Sequence, residues 1–122
     1  MFDLSGEEAR LLLNVALMAT GRNRFQSAAK ILAALERFRP DEASVPCAYA
    51  VLFMSMRDFK GAVDYIDEVA LPKFPGSAML KAFKGMAYAR MDRMADARAP
   101  LEEAASQTAD PAAAKLARDL LQ

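Results

Sequence analysis

Side chains that commonly carry out chemistry are scarce in this sequence. There is no histidine, the commonest general base and metal ligand near neutral pH. The single cysteine, Cys47, lies in the apolar run VPCAYAVLF without a basic neighbour that would activate its thiol. The acidic pairs Glu7–Glu8 and Glu102–Glu103 suit helix starts or solvated helix faces better than an acid–base pair. We therefore expect no enzymatic activity, no metal and no cofactor.

The composition indicates one soluble helical domain, residues 1–122. Apolar residues make up 54% of the chain, and alanine, leucine and methionine outnumber β-branched residues. Sixteen basic and sixteen acidic residues cancel, so the overall charge favours neither nucleic acid nor an anionic membrane. The acidic N-terminus and the short run LLLNVALMA argue against a signal peptide and a membrane span. A lone cysteine fits a reducing compartment, so we expect a cytoplasmic protein.

A pattern of about 34 residues occurs three times. Its anchors, Phe25, Phe59 and Met94, each follow a charged residue and are spaced 34 and 35 residues apart. Around each anchor a small residue lies nine positions before, an alanine three after and a large aliphatic residue seven after. These are Ala16, Ala50 and Gly85, then Ala28, Ala62 and Ala97, then Leu32, Ile66 and Leu101. The three copies cover about residues 9–40, 43–75 and 78–111.

This pattern resembles the tetratricopeptide repeat, a helix–turn–helix unit of about 34 residues. The resemblance implies an all-α, tetratricopeptide-like helical solenoid with three helix–turn–helix repeats and a C-terminal capping helix at 111–121. Small residues such as Gly85 would let the two helices of a repeat pack closely. The chain departs from the family where tryptophan is usual, because those positions are Leu12, Pro46 and Lys81.

Local signals predict where several helices begin and end. Ser5-Gly-Glu-Glu8 is a capping box at the start of the first helix. Gly21-Arg22-Asn23 and Arg39-Pro40 predict helix ends, and Asp110-Pro111 predicts the start of the last helix. Pro100 lies inside the predicted second helix of the third copy, where it should kink the helix or delay its start.

In tetratricopeptide proteins, ligands lie along the concave surface made by the first helix of each repeat. The positions that correspond to that surface are Leu13, Leu17 and Thr20, then Cys47, Val51 and Met54, then Met79, Ala82 and Met86. Family members that bind chaperone tails carry lysine and asparagine where this chain has Leu13 and Leu17. The resemblance therefore implies an apolar partner rather than a bound carboxylate.

Two interpretations of these positions remain. In one, an amphipathic helix of a partner lies in the groove, and the eight methionines of the chain favour such an adaptable surface. In the other, the same residues are core residues of a small bundle, and the chain's own last helix fills the groove.

A narrower resemblance is to the small tetratricopeptide chaperones of bacterial type III secretion, the needle-subunit chaperones and their plant-pathogen relatives. It is carried by Ala16-Leu17 with Gly21, by Phe38-Arg39-Pro40, and by Pro75-Gly76 with Lys81-Ala82. It implies a cytoplasmic chaperone that holds an amphipathic helix of a small secretion subunit and so prevents premature polymerisation. A second small co-chaperone commonly completes such complexes. The alternative is a general repeat scaffold for protein–protein interaction that self-associates through the same groove as a homodimer and has no obligate client.

Overall fold

The computed structural model describes residues 4–122, which form seven helices and no strand, so the predicted all-α class is confirmed. The fourth helix, α4, starts as Phe59–Tyr65 and runs through a π-helical turn, Ile66–Ala70, into Leu71–Lys73. The others are α1 (Gly6–Gly21), α2 (Phe25–Phe38), α3 (Ser44–Ser55), α5 (Ala78–Arg90), α6 (Met94–Ala105) and α7 (Pro111–Leu121). None of these helices is long and apolar enough to cross a membrane.

The chain divides into two compact units, with the boundary between Arg57 and Asp58. The first unit contains α1, α2 and α3, and the second contains α4 to α7. The boundary falls inside the predicted second repeat, 43–75, at the turn between α3 and α4. That residues 1–122 form a single domain remains a prediction.

The core of the first unit lies where α1, α2 and α3 pack against one another. Leu32 and Leu35 of α2 are its largest fully buried side chains. Its other buried members are Leu4, Ala9, Ala16, Ala28, Val45, Ala48 and Leu52. Alanines occupy several of these positions, so the helices of this unit can approach closely.

The core of the second unit centres on α5, which packs against α4, α6 and α7. The largest fully buried side chains of this unit are Ile66, Leu80 and Leu101. Leu101 lies among Ala82, Ala97, Ala104 and Ala117. A Cβ atom at Gly85 would overlap the Cγ and Cδ2 atoms of Leu101 and lie 3.3 Å from the carbonyl oxygen of Ala97. The prediction that Gly85 permits a close helix crossing is therefore confirmed.

The repeated sequence pattern corresponds to repeated structural positions. The helices α2, α4 and α6 begin at the three anchors Phe25, Phe59 and Met94. All nine pattern positions are buried: Ala16, Ala28, Leu32, Ala50, Ala62, Ile66, Gly85, Ala97 and Leu101. Equivalent positions of the pattern are thus buried in all three copies.

Each of the turns α1–α2, α3–α4 and α5–α6 contains one residue in the left-handed backbone region. These residues are Asn23, Arg57 and Asp92, with φ angles of 61°, 61° and 58°. Each donates its backbone N–H to the carbonyl three residues earlier, at 3.0–3.1 Å. Their spacing of 34 and 35 residues repeats that of the anchors, so the turns recur with the same period as the helices.

Replacing Arg57 with glycine is expected to stabilise the protein by about 0.5–1 kcal/mol. A left-handed conformation costs an ordinary residue roughly 1–2 kcal/mol, and glycine's larger loss of chain entropy offsets part of that gain. Asn23→Gly should stabilise less, because asparagine tolerates this region better than arginine. Urea unfolding of both variants, with Arg57→Ala as the control that keeps a Cβ atom, measures the difference. A lower stability for Arg57→Gly than for Arg57→Ala would contradict the prediction.

The predicted capping residues at two helix starts, Ser5 and Asp110, are confirmed. Ser5 Oγ accepts the N–H of Glu8 and Glu8 Oε1 accepts the N–H of Ser5, both at 3.1 Å. The hydrogen bond that the Ser5 backbone N–H donates to the Glu8 carboxylate, and secondarily a hydrogen bond between that carboxylate and the Ser5 side chain, lower the pKa of Glu8. Asp110 Oδ1 accepts the N–H of Ala113 at 3.1 Å, and α7 begins at Pro111.

Pro100 does not delay the start of its helix. Helix α6 begins at Met94, level with the other two anchors, and continues past Pro100 to Ala105. A proline at this position removes the bond that its N–H would have donated to the carbonyl of Asp96, and its ring crowds that carbonyl. Asp96 is exposed, so water can reach this part of the helix.

Candidate partner-binding surface

Helix α3 is apolar on every side. It carries no charged residue between Ser44 and Ser55. One side is buried in the protein, and the half-buried side chains elsewhere on the helix are also apolar or aromatic. Three of the predicted ligand-surface positions, Cys47, Val51 and Met54, are half-buried and lie four and three residues apart. This spacing places them on one side of α3.

Helix α1 packs against α3. Two predicted residues of α1, Leu13 and Leu17, lie next to the buried side of α1 itself. Leu13 is half-buried and packs against the core of the first unit. Leu17, one turn later, is 38% exposed. Together with the three residues of α3, they form what we call the inner surface: Leu13, Leu17, Cys47, Val51 and Met54.

Thr20 does not belong to this accessible set. Its side chain is 3% exposed, and its Oγ1 donates a hydrogen bond of 2.9 Å to the carbonyl of Ala16. This bond satisfies the hydroxyl within α1, which explains how a polar side chain is buried without a partner from another helix. The hydroxyl of Thr20 is therefore enclosed and bonded within α1 rather than offered to a ligand.

The predicted residues of α5 belong to the second unit, and they differ in accessibility. Ala82 is fully buried in the core of that unit, which includes Ala117 of α7. The last helix thus packs on the Ala82 side of α5, as the self-filled interpretation expects for this residue. Met79 and Met86 are half-buried. The side chain of Ala82 is not available to a partner, whereas parts of both methionines are.

A cavity of about 420 Å³ opens beside Leu13 within the first unit. Its walls come from the start of α1, the end of α2 and the start of α3. They are formed by Gly6, Ala9, Arg10, Leu13, Leu35, Arg39, Glu42, Ser44 and Val45. The cavity therefore combines an apolar wall with two guanidinium groups and one carboxylate, which the sequence pattern did not predict.

Arg39 holds one wall of this cavity in place. Its Nη1 donates to the carbonyl of Leu4 at 3.0 Å, and its Nη2 donates to Glu42 Oε1 at 2.6 Å. The side chain thereby ties the segment before α1 to the turn between α2 and α3. Arg10, by contrast, is exposed and takes part in none of the ion pairs found within residues 4–122. Arg39 is structural, and Arg10 is the cation that a ligand could meet.

The phenol of Tyr49 stays neutral near physiological pH. Burial, and secondarily the nearby Glu36 carboxylate, raise the pKa of Tyr49 above its usual value. The ring of Tyr49 also packs against the core of the first unit. The side of α3 that bears Tyr49 therefore adds no charge to the unit.

Among the described residues, no three cysteine, aspartate or glutamate side chains lie close enough together to hold a metal ion. Comparisons with family models, with curated proteins and with solved structures each returned no match. The resemblance to tetratricopeptide chaperones therefore rests on the motifs of the sequence alone.

Proposed function

We propose that this chain is a tetratricopeptide-like repeat protein that acts in the cytoplasm as a type III secretion chaperone. Its partner is an amphipathic helix of a small needle-type subunit, bound either alone or together with a second small helical co-chaperone. The bound helix is the one through which subunits associate, so its capture prevents premature polymerisation. The protein needs no catalytic group, metal or cofactor for this task.

The observation that carries the proposal is the apolar inner surface of the first unit. Its five residues are uncharged, yet all of them remain partly accessible on helices that pack side by side. An amphipathic helix buries its apolar side on such a surface and leaves its polar side in water. The flexible methionine side chain of Met54 adapts to differently shaped partners, which suits a surface that must release its client later.

The cavity beside Leu13 adds a specific anchoring point. With a volume of about 420 Å³, it can receive a large side chain from the docked helix. Buried anchors of this kind usually contribute most of the binding energy of an interface. Exposed Arg10 on its wall favours an acidic residue on the client next to that anchor.

The mechanism is competition for one helix face. A specific interface buries about 800 Å² on each partner. If the chaperone covers that area on the client helix, the same face cannot pack against another subunit. Release then requires only that the secretion machinery offers the client a stronger set of contacts.

The proposal is tested by isolating the full chain, tagged, from its native cells and analysing it by native mass spectrometry. We expect a 1:1 or 1:1:1 complex with one or two small helical proteins. The captured subunit, once separated, should polymerise alone and remain soluble when the chain is added back. A bare homodimer that leaves polymerisation unchanged would instead support the general scaffold.

A further inference from the structure

The outward side of α1 carries an exposed apolar stripe that the proposed function does not use. Leu11, Val15 and Met18 are 66%, 43% and 57% exposed, and they lie four and three residues apart. This spacing places them in one row along the helix. The buried residues of α1, namely Ala9, Ala16 and Thr20, lie on the opposite side. We call Leu11, Val15 and Met18 the outer stripe.

Opposite charges mark the two ends of this row. Glu7, four residues before Leu11, lies in the first turn of α1, and Arg22, four residues after Met18, caps the end of the helix. Both are exposed, and neither takes part in an ion pair found within residues 4–122. The row therefore reads acidic, apolar, apolar, apolar, basic.

Such a row is complementary to itself when reversed. If two copies of α1 pack antiparallel with Leu11 opposite Met18, then the two Val15 side chains lie next to each other near the two-fold axis. The same alignment places Glu7 opposite Arg22 at both ends of the pair. A two-fold interface requires this property, because the same surface patch must match itself.

We propose that the chain forms a homodimer through antiparallel packing of the outer stripes of two α1 helices, with Glu7 of each copy paired to Arg22 of the other. This surface lies on the side of α1 away from the core and is separate from the inner surface. One helix pair buries less than the standard area of about 800 Å² per partner, so the dimer is weak, with a dissociation constant on the order of 10–100 μM.

Charge reversal tests the pairing directly in the full chain. Glu7→Arg gives each copy two basic ends, and Arg22→Glu gives each copy two acidic ends. Each variant alone should dimerise about tenfold more weakly, because both end contacts become repulsive. An equimolar mixture of the two variants should restore dimerisation, since both end contacts are then attractive, and the double variant should restore it within one chain.

Sedimentation equilibrium over roughly 5–500 μM measures these associations around the expected dissociation constant. Native mass spectrometry with one variant isotopically labelled identifies the mixed dimer. Charge reversals at exposed positions of α2, Glu36→Arg and Arg37→Glu, serve as controls and should leave dimerisation unchanged. Circular dichroism establishes that each variant is folded.

A second test uses the apolar part of the row. Leu11→Glu should abolish dimerisation, whereas Leu17→Glu, the same substitution on the inner surface of the same helix, should not. The proposal is overturned if the unaltered chain is monomeric over the whole range. It is equally overturned if the dimer persists in Leu11→Glu, or if the two charge-reversed variants fail to pair when mixed. Client capture by Leu11→Glu tests the proposed function separately from the dimer.

Discussion

Replacing Gly85 with leucine is expected to lower the free energy of unfolding by about 3 kcal/mol or more, at the upper end of overpacking effects. The site is closed on two sides, by the fully buried Leu101 side chain and by the backbone carbonyl of Ala97. The carbonyl belongs to α6 and cannot move without shifting that helix. The melting temperature, followed by circular dichroism, should fall by roughly 10 °C or more.

Smaller substitutions at the contact between Gly85 and Leu101 separate the effect of overpacking from the effect of helix propensity. Gly85→Ala gains about 1 kcal/mol of helix propensity but should still destabilise, because its Cβ atom overlaps Leu101. In a Leu101→Ala background the overlap with Leu101 is gone and only the 3.3 Å approach to the Ala97 carbonyl remains, so Gly85→Ala should then cost less stability than in the unaltered chain. Gly21→Ala is the matched control, since nothing lies within 4 Å of a Cβ atom there. An unchanged melting temperature for Gly85→Leu would contradict the proposed repeat arrangement.

Leu17→Glu is expected to abolish client binding while the helical content stays unchanged. A carboxylate on the inner surface would have to be desolvated against the apolar side of the client helix, which costs about 2 kcal/mol or more and weakens binding at least about thirtyfold. The fold should tolerate the change, because Leu17 is 38% exposed in the absence of a partner. Calorimetric titration of the captured subunit into each purified variant measures the loss.

Leu11→Glu is the control for this experiment. It makes the same substitution on the same helix, six residues earlier, and should retain client binding. Met86→Glu is the corresponding test for α5, where a half-buried methionine offers part of its side chain. Unfolding of Leu17→Glu would show that Leu17 supports the core and would contradict its assignment to the inner surface. Equal binding by Leu17→Glu and the unaltered chain would contradict it as well.

The sequence predicted the helices well because their ends depend on nearby residues. Ser5 and Asp110 cap helices through bonds to N–H groups only three residues away. The spacing of the buried pattern positions likewise follows from the geometry of two helices joined by a short turn. Pro100 shows the limit of such rules, because α6 begins at Met94 and continues past the proline.

The candidate surface was predicted less completely, because accessibility depends on which helix covers which face. Val51 and Met54 remain partly accessible, whereas Thr20 and Ala82 at comparable predicted positions are buried. The cavity lined by Arg10 and Arg39 was not predicted from the sequence either, because its walls combine residues from α1, α2 and α3. The outer stripe had a sequence signal, the spacing of Leu11, Val15 and Met18, but spacing alone does not reveal whether a row faces the core.

The sequence by itself determined that the described chain is helical, where most of its helices begin and end, and that its packing positions recur every 34 or 35 residues. These features follow from local hydrogen bonding and from the 3.6-residue helical period. Only the tertiary structure decided that Thr20 and Ala82 are enclosed and that the outer stripe of α1 is exposed. Burial is set by helices that lie far apart in the sequence, and a helix with apolar residues on several sides does not specify which side its neighbours will cover.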